Sequence, residues 1–555
     1  MKILKSVRKN GVLILLGFIL CVLVVFPLIS VFAEAIIVNG RLDFSNAIQT
    51  IASSDNVETI LNSLVLGTVV VIIATIIAAP LAFLMVRTQI AKHKWLDVVL
   101  MIPFMTPPYI SSMGWILFMQ KKGLFQQMFP FTGNLSEGFF SFWGLAIVMS
   151  FHVFPFMLTI LKNALSNIST NLDESGAVFG GGFFYRLRRI LLPLLTGNYA
   201  IGALLVFVKT LSEYGTPATL GRRIGFYVFT TDIHKHATTA PVDFGKSASL
   251  SSVLIGICLL LWFIQNYITA RRSYNLVSGK GNKVVVKPVS KLMHGLGWAY
   301  MGLVILISVG IPYFSVVVTS FIKLRGYGMQ RGNYTFEHYQ KLFAAGSKGM
   351  GAISTSVFLA ITSATIAAIL GTIIVVAIRN SKRSKLGHIV EAEAVVPEML
   401  PNIVLVIGLM LFWNKLYQYV AVYNTIWMMI LTYVVMFIPF TIQYVGNAFT
   451  QISDSLFMAG RTFGGSPSYI FRRITLPLIM KGVLTGWTMT FIITFRELVA
   501  ASLISPPNTL TVSTYIVREF EQGSVSVGMA MAVVCVLLTT TALLALNRAI
   551  DRRKG

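Results

Sequence analysis

The chain has 555 residues, 55% of them hydrophobic and only 12% charged, and its mean hydropathy is +0.76. A soluble domain carries roughly 25% charge, so these numbers exclude an ordinary water-soluble enzyme and make a lipid bilayer the expected solvent. The net charge of +25 sits in short runs between apolar stretches, with no aromatic-basic domain, which excludes nucleic acid as the partner.

The basic N-terminus, Met1 to Lys9, leads into an apolar run from Gly11 to Ala33. The apolar part of a signal peptide is roughly 7–15 residues long and ends in small residues. This run is longer and is followed by Glu34, so it reads as a retained first helix. Crossing the hydrocarbon takes roughly 20 residues of helix. Stretches of that kind follow at 60–86, 96–119, 139–161, 193–215, 248–270, 294–322, 351–378, 389–414, 423–446, 477–500 and 523–546. The expected fold is therefore an all-α polytopic membrane protein with twelve transmembrane helices. Glu391, Glu393 and Glu398 interrupt the start of the ninth span and read as helix-start residues near the cytoplasmic face. Cys21, Cys258 and Cys535 lie far apart inside apolar runs, without disulfide or metal spacing. His152, His234 and His236 read as structural or solvated rather than as metal ligands.

Lysine and arginine concentrate in alternate connections, among them Arg87, Lys92 and Lys94, then Arg186, Arg188 and Arg189, then Arg379, Arg472 and Arg473. By the positive-inside rule these connections, and both termini, are cytoplasmic. The longest of them, 271–293, contains Ser278-Gly279-Lys280-Gly281-Asn282 and reads as a linker between halves 1–270 and 294–555.

The halves repeat each other. Pro103-Phe104-Met105-Thr106-Pro107 answers to Pro397-Glu398-Met399-Leu400-Pro401, an offset of 397 − 103 = 294, and Asn163 to Ser169 answers to Asn447 to Ser453, an offset of 447 − 163 = 284. Each half holds an even number of spans, so the copies insert the same way up as parallel repeats. The strongest match lies before the fifth span of each half, in loops at about 164–192 and 448–476. Glu174-Ser175-Gly176-Ala177-Val178-Phe179-Gly180-Gly181, with Arg188-Arg189-Ile190-Leu191-Leu192-Pro193, faces Met458-Ala459-Gly460-Arg461-Thr462-Phe463-Gly464-Gly465, with Arg472-Arg473-Ile474-Thr475-Leu476-Pro477. Of the twenty aligned positions 174–193 and 458–477, ten are identical, Tyr185 and Tyr469 among them. The pattern predicts an amphipathic helix, a glycine break, a short second helix, and a proline opening the next span. Such a segment is too polar to cross the bilayer and is expected to lie on the cytoplasmic face as a lever joined to that span.

This spacing resembles the "EAA" loop of the permeases of binding-protein-dependent ABC importers, and the resemblance covers nearly the whole chain, twice. The first copy departs from it by Ser175-Gly176 in place of two alanines. The second has Met458 in place of the glutamate and Gly460 in place of the second alanine. The resemblance implies a type I ABC importer permease fold, with loops that couple to the ATPase through Glu174, Gly176, Gly180 and Pro193, and through Met458, Gly460, Gly464 and Pro477. It implies two copies of a cytoplasmic ATP-binding subunit and an extracytoplasmic solute-binding protein as partners. The setting it implies is a bacterial cytoplasmic membrane. ATP and Mg would be used by the partners, with no cofactor on this chain. The fused form, with Ser212-Glu213-Tyr214-Gly215-Thr216-Pro217-Ala218 and Arg496-Glu497-Leu498-Val499-Ala500, is similar to iron(III) permeases. It is also similar to fused permeases for thiamine, phosphonates and sugar phosphates; polyamine is a further alternative.

Glu213 and Glu497 occupy one repeat position, 497 − 213 = 284, twenty residues past Pro193 and Pro477. That is about 30 Å along a helix, at the outer end of the span. An ionisable residue there is expensive and faces a partner or a watery cavity. Two readings stand: a pair at the outer gate, or local pairing with Lys209 and Arg496. No catalytic constellation occurs, and Gly245-Lys246-Ser247 has Ala240 where a phosphate-binding loop needs glycine. An ion-driven secondary transporter with twelve helices remains the rival class, and it has no reason to carry paired coupling loops.

Overall fold

The computed structural model describes residues 2–38, 40–271, 290–380 and 384–552, so nearly all of the expected linker lies outside it. The helices named below are, in chain order, α1 (Gly11–Ile36), α2 (Ser54–Arg87), α3 (Trp95–Met105), α4 (Pro108–Met119), α5 (Phe142–Asn167), α6 (Thr170–Val178), α7 (Phe183–Ser212) and α8 (Phe244–Arg271). They continue as α9 (Lys291–Phe321), α10 (Lys348–Asn380), α11 (Lys385–Met399), α12 (Asn402–Lys415), α13 (Ile426–Thr450), α14 (Asp454–Thr462), α15 (Pro467–Phe495), α16 (Val499–Ile504), α17 (Val512–Glu521) and α18 (Val525–Arg552).

Ten helices among the described residues are long and apolar enough to cross a membrane, and the pairs α3–α4 and α11–α12 bring the number to twelve if each is one crossing. Those two pairs correct the expectation of continuous spans at 96–119 and 389–414. They bend by 89° and 114°. The cause is local. Thr106 and Leu400 precede prolines and are extended (φ −78°, ψ 134°; φ −109°, ψ 148°), because the proline ring crowds a helical residue before it. The acidic cluster needs correcting as well. The helix starts at Lys385, so Glu391 and Glu393 lie inside it and Glu398 in its last turn, where Gln443 donates to Glu398.

Other prolines are absorbed without a break. At Cys21–Val25, Leu187–Leu191, Leu306–Gly310 and Phe471–Thr475 the helix widens into a π turn. Each turn ends two residues before a proline: Pro27, Pro193, Pro312 and Pro477. Proline has no N–H to donate and its ring collides with the carbonyl four residues back. One extra residue in the turn moves that carbonyl aside, and the helix runs on.

By contacts the chain forms two compact units, residues 52–232 with 256–335, and residues 1–51 with 233–255 and 336–555. In the first unit α2 packs on α5 and α7, and Gly67 lets α7 come close: a Cβ there would lie 2.8 Å from the Phe207 ring. In the second unit α10, α13 and α15 pack together in the same way, with Gly371 against Thr441 and Gly482 against the Tyr444 carbonyl. Small residues at the contacts let helices approach where lipid gives no hydrophobic drive.

The opening helix of each sequence half packs in the unit built around the other half. In the first unit α9 lies on α4, where a Cβ on Gly114 would stand 2.6 Å from the Pro312 carbonyl. In the second unit α1 lies on α12, where a Cβ on Gly408 would stand 2.7 Å from the Pro27 carbonyl. These glycines share one repeat position, 408 − 114 = 294. Each admits a backbone that any side chain would exclude.

Candidate functional site

The loop before α7 and the loop before α15 are built alike. Ser169 Oγ accepts from Asn171 N at 3.2 Å to start α6, and Ser453 Oγ accepts from Ser455 N at 3.3 Å to start α14. Each helix ends on a left-handed glycine, Gly180 at φ +81° and Gly464 at φ +77°. Gly180 N donates to Ala177 O and Gly181 N to Gly176 O, at 3.0 and 2.9 Å. Gly464 N and Gly465 N donate to Arg461 O and Gly460 O at the same distances. This is a Schellman end, which satisfies carbonyls the helix leaves open.

The structure also gives a reason for Gly176 and Gly460. A Cβ on Gly176 would fall 2.6 Å from Ile190 Cδ1, and one on Gly460 would fall 2.9 Å from Ile474 Cδ1. The isoleucine of the next helix fills the place of the alanine methyl and braces the lever against its span. Beyond the glycines, Pro193 and Pro477 sit just past the π turns. Glu174 and Met458 are exposed at matching positions. Phe179 and Phe463, at the loop tips, are 91% and 90% exposed. Each phenylalanine, at the same repeat position, is a bare apolar tip in want of a partner.

At the far end of α7 and α15 lie the two glutamates. Glu213 follows the last residue of α7, and both its carboxylate oxygens accept from Thr216 N, at 3.0 and 3.1 Å. Glu497 is buried; Val499 N donates to its Oε1 at 2.7 Å, while Ala500 N and Ala501 N donate to its Oε2 at 2.9 and 3.3 Å. Each carboxylate thus caps the turn that opens the next short helical segment, and in the second unit that segment is α16. These backbone partners are ones that neither sequence reading proposed.

The glutamate main chains are held too. Thr230 Oγ1 donates to Glu213 O at 2.8 Å, and Ser513 Oγ donates to Glu497 O. Phe229 N donates to Ser63 Oγ, and Val512 N to Ser356 Oγ, both at 2.8 Å. Ser63, Thr230, Ser356 and Ser513 were not singled out from sequence. They fall near the repeat spacing, one residue short of the 294 and 284 offsets, at 356 − 63 = 293 and 513 − 230 = 283. His234 Nε2 lies 3.1 Å from Ser502 Oγ in the second unit. Among the described residues no three or more His, Cys, Asp or Glu are placed to hold a metal.

A multi-pass helical membrane protein that carries the same exposed, glycine-ended lever twice, once at the base of each half, has the architecture of a pseudosymmetric permease. The sequence profile of the binding-protein-dependent transport system inner membrane components matches residues 72–274 and 365–555, and the chain belongs to that family. It is the permease component of an ABC importer, which works with an ATPase and a solute-binding protein. It is 22% identical over 524 residues to the Fe(3+)-transport system permease protein FbpB 2 of Haemophilus influenzae, covering 94% of this chain and 96% of that one. It is 23% identical to the ferric transport system permease protein FbpB of Actinobacillus pleuropneumoniae, over 95% of this chain and 76% of that one. The spermidine/putrescine permease PotC of H. influenzae is 26% identical over 44% of this chain and 92% of its own.

Proposed function

We propose that this chain carries iron(III), delivered by an extracytoplasmic binding protein, across a bacterial cytoplasmic membrane. Two copies of a cytoplasmic ATPase dock on its two loops. The ATPases bind ATP and Mg, and this chain binds no cofactor and hydrolyses nothing. Both termini lie on the cytoplasmic side, as the lysine and arginine distribution requires. The division into halves at 1–270 and 294–555 describes the repeat, and the lever of each half serves one ATPase.

The observation that carries the docking reading is the pair of bare, glycine-ended loop tips, with Phe179 and Phe463 in the open. Glu174, Gly176, Gly180 and Pro193 in one loop, and Met458, Gly460, Gly464 and Pro477 in the other, form and brace the docking lever. Glu213 and Glu497 hold the turns at the far ends of the same helices, so a push on the lever arrives at a fixed gate. Support for iron comes from the ferric permeases that resemble this chain along most of its length.

The test is reconstitution in lipid vesicles. Alone, the chain is expected to show neither ATP hydrolysis nor accumulation; with two ATPase subunits and the binding protein it is expected to take up iron(III). Accumulation by the chain alone in an ion gradient would refute the permease reading. Uptake of thiamine, a phosphonate, a sugar phosphate or a polyamine in place of iron would refute the cargo alone.

A further inference from the structure

The sequence presents Arg87 and Arg379 only as positive charges at helix ends, but each makes a specific joint. Both lie at the C-terminal end of the second long helix of their sequence half. Arg87 is buried and its Nη2 donates to Leu165 O and Ile168 O at 3.4 and 2.9 Å. Arg379 Nη1 donates to Phe449 O at 3.0 Å and its Nη2 to Ile452 O at 3.4 Å. The accepting residues are repeat partners, since 449 − 165 and 452 − 168 both equal 284. They lie at the C-terminal ends of α5 and α13, where carbonyls lack helical partners and the dipole favours a cation.

In the second unit the joint reaches further. Arg379 Nη2 also donates to Asp454 Oδ1 at 2.7 Å, and Asp454 is the first residue of α14. The guanidinium lies 5.0 Å from the Phe449 ring centre and 5.6 Å from that of Phe457, a residue of α14, and those two rings stack at 6.4 Å. The ion pair is exposed on its acidic side, so it adds little by itself. What makes the joint firm is the fork: one planar group spans the end of α13 and two side chains of α14 at once.

We propose that Arg379 is a positioning residue for coupled transport, tying α10 to the coupling helix α14 so that lever and bundle move as one body. Arg87 ties α2 to the carbonyls at the end of α5, just before α6 begins. The proposal rests on the docking reading above. It also explains how the second loop, with Met458 where the first has Glu174, remains mechanically joined to its helices.

The test uses the whole complex in vesicles, with Arg379→Ala and Arg379→Lys. Two quantities are measured: ATPase recovered with the chain, and solute moved per ATP hydrolysed. With Arg379→Ala, recovery is expected to equal wild type while solute per ATP falls about fivefold or more, the scale of a typical coupling between sites. Lysine keeps the charge but not the fork, so Arg379→Lys is expected to restore the ratio only in part. An unchanged ratio with Ala, or a fall matched by equal loss of bound ATPase, would overturn the proposal. If the Ala chain does not assemble, a wild-type ratio with Arg379→Lys overturns it. Failure of the docking reading would look different: a Gly464→Val chain would retain its ATPase in full.

Discussion

Gly180 and Gly464 separate two ways in which a substitution can injure a coupling loop. Both hold positive φ, +81° and +77°, and a Cβ built on either meets nothing within 4 Å. The space for a side chain is therefore free, and any intrinsic cost lies in the backbone. An L-residue other than Gly, Asn or Asp pays about 1–2 kcal/mol to sit in the left-handed region. A β-branched residue sits there worst. One or two kcal/mol is a factor of about 5–30 in the population of the folded turn. Gly180→Val should therefore undo the Schellman end of α6, shift Phe179, and cut ATPase recovery by about that factor. Gly180→Asn adds a side chain of similar bulk but tolerates left-handed geometry. It should recover nearly the wild-type amount of ATPase. The same pair at Gly464 should behave alike. The assay is co-purification from detergent, with correct insertion checked by protease protection. If Asn and Val fail equally, bulk against the docked partner matters and the backbone argument is wrong. If both retain full recovery, these turns do not hold the docking surface.

Three further outcomes follow from the same geometry. Glu174→Ala should lower ATPase recovery more than Met458→Ala, because only the first removes an exposed charge able to meet a basic partner; equal losses in a titration of ATPase against the purified chain would count against it. Glu497→Ala strips the acceptor from three amides, two of them in buried bonds, at roughly 1–3 kcal/mol for an unsatisfied group, and Glu497→Gln keeps one acceptor oxygen. The Ala chain should therefore melt lower and leak more ATP hydrolysis without transport, and identical melting curves for Ala, Gln and wild type would refute the cap. Gly114→Leu must push a side chain into the Pro312 main chain, and backbone cannot yield as a rotamer can. The chain should lose its folded fraction on size exclusion, and a monodisperse, active variant would refute the close α4–α9 approach.

Much of this protein is legible in its sequence because the bilayer makes apolar length the dominant signal. The spans, the repeat and the glycine-ended turns follow from hydropathy and turn chemistry, and the structure shows ten of the twelve spans unbroken and both turns. What the sequence hides is partnership. Hydropathy records that residues 11–33 are a helix but not that α1 lies on α12, because lipid and protein are equally apolar neighbours. The trace that survives is Gly114 and Gly408 at one repeat offset, meaningful only once close approach is suspected. The bends were signalled more plainly. Pro107 and Pro401 stand in the middle of their apolar runs, each after a residue that proline keeps extended, and a run read only for length passes over them. Arg87 and Arg379 illustrate the same limit from the polar side. Counting charges uses them to orient the chain, and that use is satisfied by any lysine or arginine in the loop. The structure requires more of these two: a planar fork, at the end of one helix, reaching the open carbonyls of another. Glu213 and Glu497 were found by position and their backbone partners were missed, since a search among charged side chains overlooks backbone amides two to four residues on. In each case the missing quantity is the direction in which a group points. A second copy of the same group at the same offset, as with Glu213 and Glu497, or close to it, as with Arg87 and Arg379, is the sequence feature that marks such a direction, because a repeated accident of orientation would not bring matching acceptors twice.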